Sequence, residues 1–430
     1  MPTPGPTPVT QLGAGRLAAV EDHQRTVLVR CSGRDRPGIT TGLLGVLADS
    51  GAELFDMEQV VVRDRLTLDL LIGVDAGDQV IKELLFHGWG QGLQLDFEVV
   101  EADSPYPSSA VRSVVTVIGQ VLTPGALRDL TGAISTAGAN IDRIVRLSRY
   151  PVVSYEFVTL DGDVDRMRAE LVAAAKDHAV DVAVQRESLE RRAKRLVVMD
   201  VDSTLIQDEV IELLACEAGC GDEVEEITAR AMAGDLDFEA SLRERTARLG
   251  GMPAEALDRV ADKVQLTPGA RTFVRTLKRL GFTVAIVSGG FSHVTDRLAV
   301  DLGIDHAAAN HLEVVDGVVT GKLIGEIIDR PGKARVLREI AAAEHIPLEQ
   351  TVAIGDGAND LDMLAAAGLG IAFNAKPVVR EAADTAVSVP YLDAILFLLG
   401  IRREEIERAD AADPQVDDHE RIPVPGTPPA

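Results

Sequence analysis

The sequence predicts an α/β protein in which a parallel sheet with a helical insert follows two smaller α+β domains. Two observations support this prediction. From Leu196 onward, short apolar strands alternate with helical segments, a pattern typical of a parallel sheet covered by helices on both faces. Before that point the element order βαββαβ occurs twice, and the two copies share a pattern of proline, glycine and apolar residues.

The composition is that of a globular protein and excludes several classes of function. Of 430 residues, 46% are hydrophobic and 26% are charged. The net charge of -25 repels nucleic acid, so we expect no nucleic-acid partner. No apolar run reaches the roughly 18–20 residues that span a membrane, so we expect no membrane partner. Three cysteines and a start without a signal-peptide pattern favour the cytoplasm.

The N-terminal repeat has a period of about 87 residues, the separation between Pro37 and Pro124. In each copy a Pro-Gly pair opens the first helix and a glycine ends it, at Gly51 and Gly138. We assign the first copy to residues 21–103 and the second to 109–186. Residues 1–20 are rich in proline, glycine and threonine, and residues 410–430 are rich in aspartate and proline and poor in apolar residues. We predict that both segments are disordered.

Three apolar strands of the C-terminal part each run into a polar turn. The strand at 196–199 precedes Asp200-Val201-Asp202-Ser203-Thr204. The strands at 283–287 and 351–354 precede Ser288-Gly289-Gly290 and Gly355-Asp356-Gly357-Ala358-Asn359-Asp360. In open parallel sheets, ligands bind outside the carboxyl ends of the strands. The three turns therefore predict one site at that edge.

The residue types in these turns favour a magnesium ion and a phosphate group. Asp200 and Asp202 are two apart, so on an extended chain their carboxylates point the same way. Such carboxylates repel each other unless a cation lies between them or one takes a proton. Asp356 adds a carboxylate from another strand, and hard oxygen ligands favour Mg²⁺. The glycines allow backbone N–H groups to approach phosphate oxygens.

Lys333 begins a predicted helix directly after Pro331-Gly332. A cation at a helix N-terminus opposes the helix dipole at a cost of about 0.3–1 kcal/mol. A bound phosphate reverses the sign of that interaction. The alternative is a solvated surface lysine.

The three turns and Lys333 resemble the four motifs of the haloacid dehalogenase superfamily, and the resemblance spans about residues 196–399. It implies a Rossmann-like parallel sheet over residues 187–409 with a helical cap at 207–265. The repeat resembles two ACT domains, modules that commonly bind amino acids and often pair edge to edge. This second resemblance implies an amino-acid effector and a homodimer.

Within the superfamily, the resemblance implies Mg²⁺-dependent hydrolysis of O-phosphoserine to serine and phosphate through a phosphoaspartyl intermediate, the last step of serine synthesis. Asp200 would be the nucleophile, and Asp202 the acid and base. Asp200, the backbone carbonyl of Asp202 and Asp356 would hold Mg²⁺. Further implied roles are phosphoryl binding by Ser288, Gly289, Lys333 and Asn359, and support of the metal or of Lys333 by Asp360.

The resemblance also implies roles in the cap. Glu209 would meet the substrate ammonium and Arg245 its carboxylate, while Met232 and Phe238 would close the site. Phe238 and Arg245 are seven residues apart on one predicted helix, hence on one face. Arginine suits bidentate recognition of a carboxylate. Other arginines flank Arg245, so a merely solvated arginine face is the alternative.

Two other functions stay open at this point. The first is a related phosphatase that acts on another phosphorylated metabolite or on phosphoprotein. The second is an amino-acid sensor with a vestigial phosphatase core. The second repeat has Val121-Leu122-Thr123 where the first has Arg34-Asp35-Arg36, so equivalent ligand sites in both copies are in doubt.

Overall fold

A computed structural model describes residues 25–75, 79–100, 111–233 and 235–416, apart from the side chains of Glu190 and Met232. The predicted disordered segments 1–20 and 417–430 lie outside these residues. The chain divides into two compact units, residues 1–109 and 110–430. Within the described ranges, no helix has both the length and the apolar character needed to cross a membrane.

The first repeat is a four-stranded antiparallel sheet packed against two helices, as predicted. Its sheet order is β2-β3-β1-β4. Leu43, Leu70 and Leu84 are fully buried between sheet and helices. Edge strand β2 is exposed at all ten positions. The elements are β1 (Arg25–Arg34), α1 (Ile39–Ser50), β2 (Glu53–Val62), β3 (Arg65–Val74), α2 (Gln79–Gly90) and β4 (Gln94–Val100).

The second repeat has the same topology, with sheet order β6-β7-β5-β8. Leu130 and Ile134 are buried in its first helix at the positions of Leu43 and Leu47 in the first copy. The βαββαβ prediction is therefore confirmed for both copies. The elements are β5 (Arg112–Gly119), α3 (Pro124–Thr136), β6 (Asn140–Ser148), β7 (Val153–Leu160), α4 (Val164–Lys176) and β8 (Asp181–Arg186).

The C-terminal domain contains a seven-stranded sheet of order β12-β11-β10-β9-β13-β14-β15, in which only the β11–β12 pair of the described strands is antiparallel. The central strand β9 is fully buried. The elements outside the cap are α5 (Leu189–Arg192), β9 (Leu196–Met199), α10 (Ala270–Arg279), β10 (Thr283–Phe291), α11 (Ser292–Leu302), β11 (His306–Val315), β12 (Val318–Ile324), α12 (Arg330–Ala343), β13 (Thr351–Gly355), α13 (Leu361–Ala366), β14 (Gly370–Phe373), α14 (Pro377–Ala382), β15 (Thr385–Val387), α15 (Ile395–Leu398) and α16 (Arg403–Ala412).

The outer face of the second repeat is bonded to this sheet. Asp181 accepts a hydrogen bond from the Ser388 backbone N–H at 2.6 Å. The Thr385 hydroxyl donates to the Val182 carbonyl at 3.2 Å. Burial raises the pKa of the Asp181 carboxyl. The second repeat and the parallel sheet therefore pack as one body.

The cap is a helical insert between β9 and α10. Its two connections to the core form a short antiparallel ladder, in which Ile206 pairs with Leu266 and the Gln207 N–H donates to the Gln265 carbonyl at 2.9 Å. At the other side of the cap, the Val319 N–H of β12 donates to the Met252 carbonyl at 2.9 Å. Both contacts hold the cap to the core. Its helices are α6 (Val210–Ala218), α7 (Gly221–Met232), α8 (Phe238–Arg248) and α9 (Glu255–Ala261).

The prediction of disorder from residue 410 onward is wrong for residues 410–416, which are ordered. Helix α16 runs through Asp410, whose side chain is 6% exposed. The Asp410 carboxylate accepts hydrogen bonds from Arg275 and Arg279 of α10. Val416 is also buried. The low apolar content of this segment hid its order, because ion pairs with α10 contribute to holding it in addition to the burial of Val416.

Candidate active site

A cavity of about 470 Å³ lies where the cap meets the carboxyl edge of the parallel sheet. Most of the predicted site residues line it: Asp200, Asp202, Glu209, Phe238, Arg245, Gly289, Asp356 and Asn359. Ser288, Lys333 and Asp360 are buried behind its wall. The side chain of Met232 lies outside the described residues. The structure therefore brings the three predicted turns together, with cap residues facing them.

Asp200 directly follows the buried strand β9, and its Oδ1 is fixed by two donors. The Val201 N–H and the Lys333 ammonium each lie 2.7 Å from that oxygen. The chain then makes a tight turn in which Ser203 has φ 54°, a left-handed conformation that is costly for a residue with a side chain. The Ser203 hydroxyl donates to Glu209 at 2.8 Å, which ties this strained turn to the first residue of the cap region.

The carboxylate of Asp202 connects the cap to the core. Its Oδ1 accepts from the Val210 N–H at the start of α6 at 2.8 Å, and its Oδ2 accepts from the Ser288 hydroxyl at 2.9 Å. The Ser288 oxygen in turn accepts from the Gly290 N–H at 2.7 Å. Burial raises the pKa of the Asp202 carboxyl, although these donors oppose the shift. Asp202 is therefore easier to protonate than an exposed aspartate.

Lys333 lies in the first turn of α12 and is completely buried. Its ammonium is 2.7 Å from an oxygen of Asp200 and 2.6 Å from an oxygen of Asp360. Burial acts to lower the pKa of Lys333, but the two carboxylates outweigh it and raise the pKa. The alternative of a solvated surface lysine is wrong. The carboxylates of Asp200 and Asp360 offset the cost of this cation at the helix N-terminus.

The third turn is closely packed around Asp360. The second oxygen of Asp360 accepts from the Gly357 N–H at 3.0 Å. A Cβ atom at Gly355 would lie 2.4 Å from the Asp360 carboxyl carbon, so only glycine fits there. Burial and the charge of Asp360 raise the pKa of Asp356 to about 6. The same two causes raise the pKa of Asp200 well above its usual range, although Lys333 opposes the shift.

The acidic cluster fits a divalent cation. Oxygens of Asp200, Asp356 and Asp360 lie within 4.8 Å of one another. Both oxygens of Asp360 already have protein partners. In the described part of the chain, Oδ2 of Asp200 accepts no hydrogen bond and Asp356 accepts only a long one of 3.5 Å from Thr204. The raised pKa values show negative charge that a bound cation would balance.

Helix α8 carries both Phe238 and Arg245 to the cavity, as the sequence predicted. The Phe238 ring lies over Gly289, where a Cβ atom would come within 3.0 Å of the ring. Arg245 is half-buried and forms no ion pair with any described residue, whereas its neighbours Arg243 and Arg248 pair with Glu239 and Glu223. The interpretation as a solvated arginine face therefore applies to the flanking arginines but not to Arg245.

Glu209 faces Arg245 across the cavity without a direct ion pair. Although solvent reaches the Glu209 carboxyl through the cavity, the surrounding protein removes much of the bulk water. This desolvation, followed by the charge of Asp202, raises the pKa of Glu209 to about 7. A positively charged group bound next to Glu209 would stabilise its ionised form.

Two site residues escaped the sequence analysis. Asn310 of β11 is buried, donates to the Gly289 carbonyl at 2.9 Å and accepts from the Ile328 N–H at 2.8 Å. It thereby fixes the turn after β10. Lys376 lines the cavity after β14. Lys376 could have been found from a fourth apolar strand that ends in a polar turn. Asn310 could have been found as the single amide directly after three alanines.

The three domains match known families. Residues 197–365 match the haloacid dehalogenase-like hydrolases, and residues 25–98 and 112–185 match ACT domain models. A phosphoserine phosphatase of Streptomyces coelicolor is 55% identical over 90% of this chain and 94% of that protein. One of Mycobacterium tuberculosis is 48% identical over 90% of this chain and 96% of that protein. The crystal structure of a probable phosphoserine phosphatase from Vibrio cholerae superposes with a TM-score of 0.55 and 37% identity, over 67% of this chain and 86% of that one.

We predict that Glu209→Gln stabilises the metal-free protein at high pH. Because the folded-state pKa of about 7 exceeds the usual value of 4.5, the unfolded chain ionises first as pH rises. Stability is therefore lost between about pH 4.5 and pH 7 and stays lost above pH 7. The melting temperature of Glu209→Gln should exceed that of the wild type at pH 8 in the presence of EDTA, and match it at pH 4.5. Glu225→Gln, an exposed glutamate of α7, serves as the control; an equal rise in that variant would contradict the prediction.

Proposed function

The chain belongs to the haloacid dehalogenase-like hydrolases, and we propose that it is a magnesium-dependent phosphoserine phosphatase that works through a phosphoaspartyl intermediate. One observation carries the substrate assignment. Arg245 and Glu209 face each other in the cavity that Asp200 and Asp202 also line. Arg245 has no ion-pair partner among the described residues. O-Phosphoserine offers a carboxylate, an ammonium and a phosphate to such a site.

In the proposed first step, Asp200 attacks phosphorus. Its Oδ1 is held by the Val201 N–H and Lys333, which leaves Oδ2 to form the new O–P bond. The bond between phosphorus and the serine oxygen breaks in line with the attack. Asp202, which burial makes easier to protonate than an exposed aspartate, gives its proton to the leaving serine oxygen. In the second step, the ionised Asp202 takes a proton from water as the water oxygen attacks phosphorus. The bond between phosphorus and Asp200 Oδ2 breaks, which releases phosphate and restores the Asp200 carboxylate.

Magnesium would be held by Asp200, Asp356 and the backbone carbonyl of Asp202. Two observations support this ligand set: the carboxylate oxygens lie close together, and both oxygens of Asp360 have other partners. Asp360 therefore acts through Lys333 in the proposed site. The bound ion supplies positive charge next to the phosphoryl oxygens.

The phosphoryl group would be bound by Ser288, Gly289, Lys333 and Asn359. Asn359 lies against Gly357, where a Cβ atom would be 2.0 Å from the amide oxygen, so the glycine leaves room for this side chain beside the cavity. Asn310 holds the carbonyl of Gly289 and so keeps the N–H groups of that turn in position. These contacts replace the hydration of the phosphoryl oxygens with fixed donors.

The cap would select serine. We assign the substrate ammonium to Glu209 and the substrate carboxylate to Arg245, with Phe238 and Met232 closing the site. Glu209 is hydrogen-bonded to the turn that carries both aspartates. Recognition of the amino-acid part is thereby linked to the position of the reacting groups.

Asp200→Asn tests the activity and the nucleophile together. We expect wild-type protein to release phosphate from L-phosphoserine when Mg²⁺ is present and not when it is absent. Asn has the same shape as Asp but cannot form the acyl phosphate, so we expect a loss of at least about 1,000-fold in kcat. Circular dichroism of the variant verifies folding. Wild-type turnover of other phosphoesters without turnover of phosphoserine would refute the cap assignment but keep the mechanism.

Arg245→Ala and Arg243→Ala form a matched pair of variants on one helix. Loss of Arg245 should raise KM for phosphoserine by roughly 10–100-fold, because a charge-assisted bidentate contact is lost. Loss of Arg243, an exposed residue paired with Glu239, should change KM less than about twofold. Phosphoethanolamine lacks the carboxylate, so its slow hydrolysis should not respond to Arg245→Ala. A loss of equal size for both compounds would contradict carboxylate recognition.

We further propose a cytoplasmic homodimer regulated by an amino acid through the ACT domains. Strand β2 supports the dimer: it is an edge strand whose ten residues are all exposed, and it carries Phe55, Met57 and Val60 at 46–51% exposure. Long apolar edge strands pair readily with another strand.

Trp89 offers a probe for the effector. It lies on α2, is 79% exposed and is the single tryptophan, so its fluorescence can follow ligand binding to the first repeat.

Light scattering should give twice the chain mass of 45.8 kDa. Val60→Lys places a charge on the β2 edge and should shift the mass to that of a monomer, whereas Val99→Lys on the opposite edge strand β4 should not. A monomeric wild type would refute the dimer.

L-Serine is the first effector to test; unchanged Trp89 emission together with unchanged kinetics would exclude it.

A further inference from the structure

A fourth turn, after strand β14, brings a cation to the cavity. The chain leaves β14 at Phe373, and Asn374 adopts a left-handed φ of 46°. The Asn374 N–H donates to the Val387 carbonyl of β15 at 2.9 Å, which holds the turn in place. Lys376 then precedes Pro377, the first residue of α14, and has the extended conformation that a following proline imposes. The backbone position of Lys376 is thus fixed before any ligand arrives.

Three cationic side chains belong to the site, and each has different surroundings. Lys333 is buried, and two carboxylates neutralise it. Arg245 lies on the cap and is assigned to the substrate carboxylate. Lys376 lines the cavity, is exposed to solvent, and makes no ion pair within the described ranges of the chain. Its charge is therefore available to a ligand that enters from solvent.

The surroundings of Lys376 are strongly acidic. The chain has a net charge of -25, and the cavity wall itself carries Asp200, Asp202, Glu209 and Asp356. A phosphorylated substrate approaches against this field. Over distances beyond about 10 Å salt screens the field, so a cation located at the cavity decides the local potential.

We propose that Lys376 is an anion-binding residue that pairs with the phosphoryl group of the entering substrate and with the phosphate product before it leaves. This inference rests on the proposed phosphatase function for the substrate. The Lys376 ammonium would also bind inorganic phosphate, and this part of the inference does not depend on the proposed function. Lys376 acts through binding and takes no part in proton transfer.

Calorimetric titration of the full chain with inorganic phosphate, at saturating Mg²⁺, tests the proposal without turnover. We expect Lys376→Met to weaken phosphate binding about tenfold, and Lys376→Arg to restore it to within about twofold. Lys322→Met removes the same charge from an exposed position on β12 outside the cavity and should leave phosphate affinity unchanged. Added salt should weaken phosphate binding less in Lys376→Met than in the wild type, because one screened attraction is missing.

Steady-state kinetics distinguish this inference from the proposed function. If the wild type hydrolyses phosphoserine, Lys376→Met should raise KM about tenfold and change kcat less than about twofold. If the wild type is inactive on phosphoserine but Lys376→Met still weakens phosphate binding, the proposed function fails and the inference stands. Unchanged phosphate affinity in Lys376→Met would overturn the inference. So would a weaker Mg²⁺ affinity with normal phosphate binding, since Lys376 would then act through its neighbour Asp356.

Discussion

The buried ammonium of Lys333 holds together three separate segments of the C-terminal domain. It joins Asp200 after β9 and Asp360 after β13 to the first turn of α12. A lysine removed from water is stable only when its charge is fully paired, and the same holds for each buried carboxylate. The strands must therefore end where these groups meet. Gly355 follows from this arrangement, because any side chain there would displace Asp360.

The same network relates the chemistry to the cap. Asp202 accepts one hydrogen bond from the N-terminus of cap helix α6 and another from Ser288 of the core. Glu209 accepts from Ser203, the strained residue between them in the chain. A shift of the cap would therefore disturb the carboxylate that is proposed to move the proton. In the proposed function, binding of the amino-acid part of a substrate at Glu209 would be coupled to the position of Asp202 through these hydrogen bonds.

Sequence reasoning located the fold and the three polar turns from local patterns, because apolar strands that end in Asp or Gly turns locate one edge of a sheet. The cap residues came from the family resemblance; the seven-residue spacing of Phe238 and Arg245 showed only that they share one helix face. The features that sequence reasoning missed depend on contacts between segments that are distant in the chain. Asn310 is explained only by the carbonyl of Gly289 and the N–H of Ile328. The order of residues 410–416 depends on arginines of α10, about 135 positions away in the chain.

The two repeats show how one fold acquires different surroundings. In the first repeat the outer sheet face carries polar residues such as Arg30 and Asp69, which pair with each other at 3.1 Å in a solvent-exposed position. The corresponding face of the second repeat is buried, and its charged residues are paired inward, with Glu156 bound to Arg191 at 2.6 Å. Asp181 caps the end of β15, a strand of the sheet that carries Asp200. The second repeat is therefore part of the structural support of the site. The first repeat keeps its edge strand β2 exposed at all ten positions.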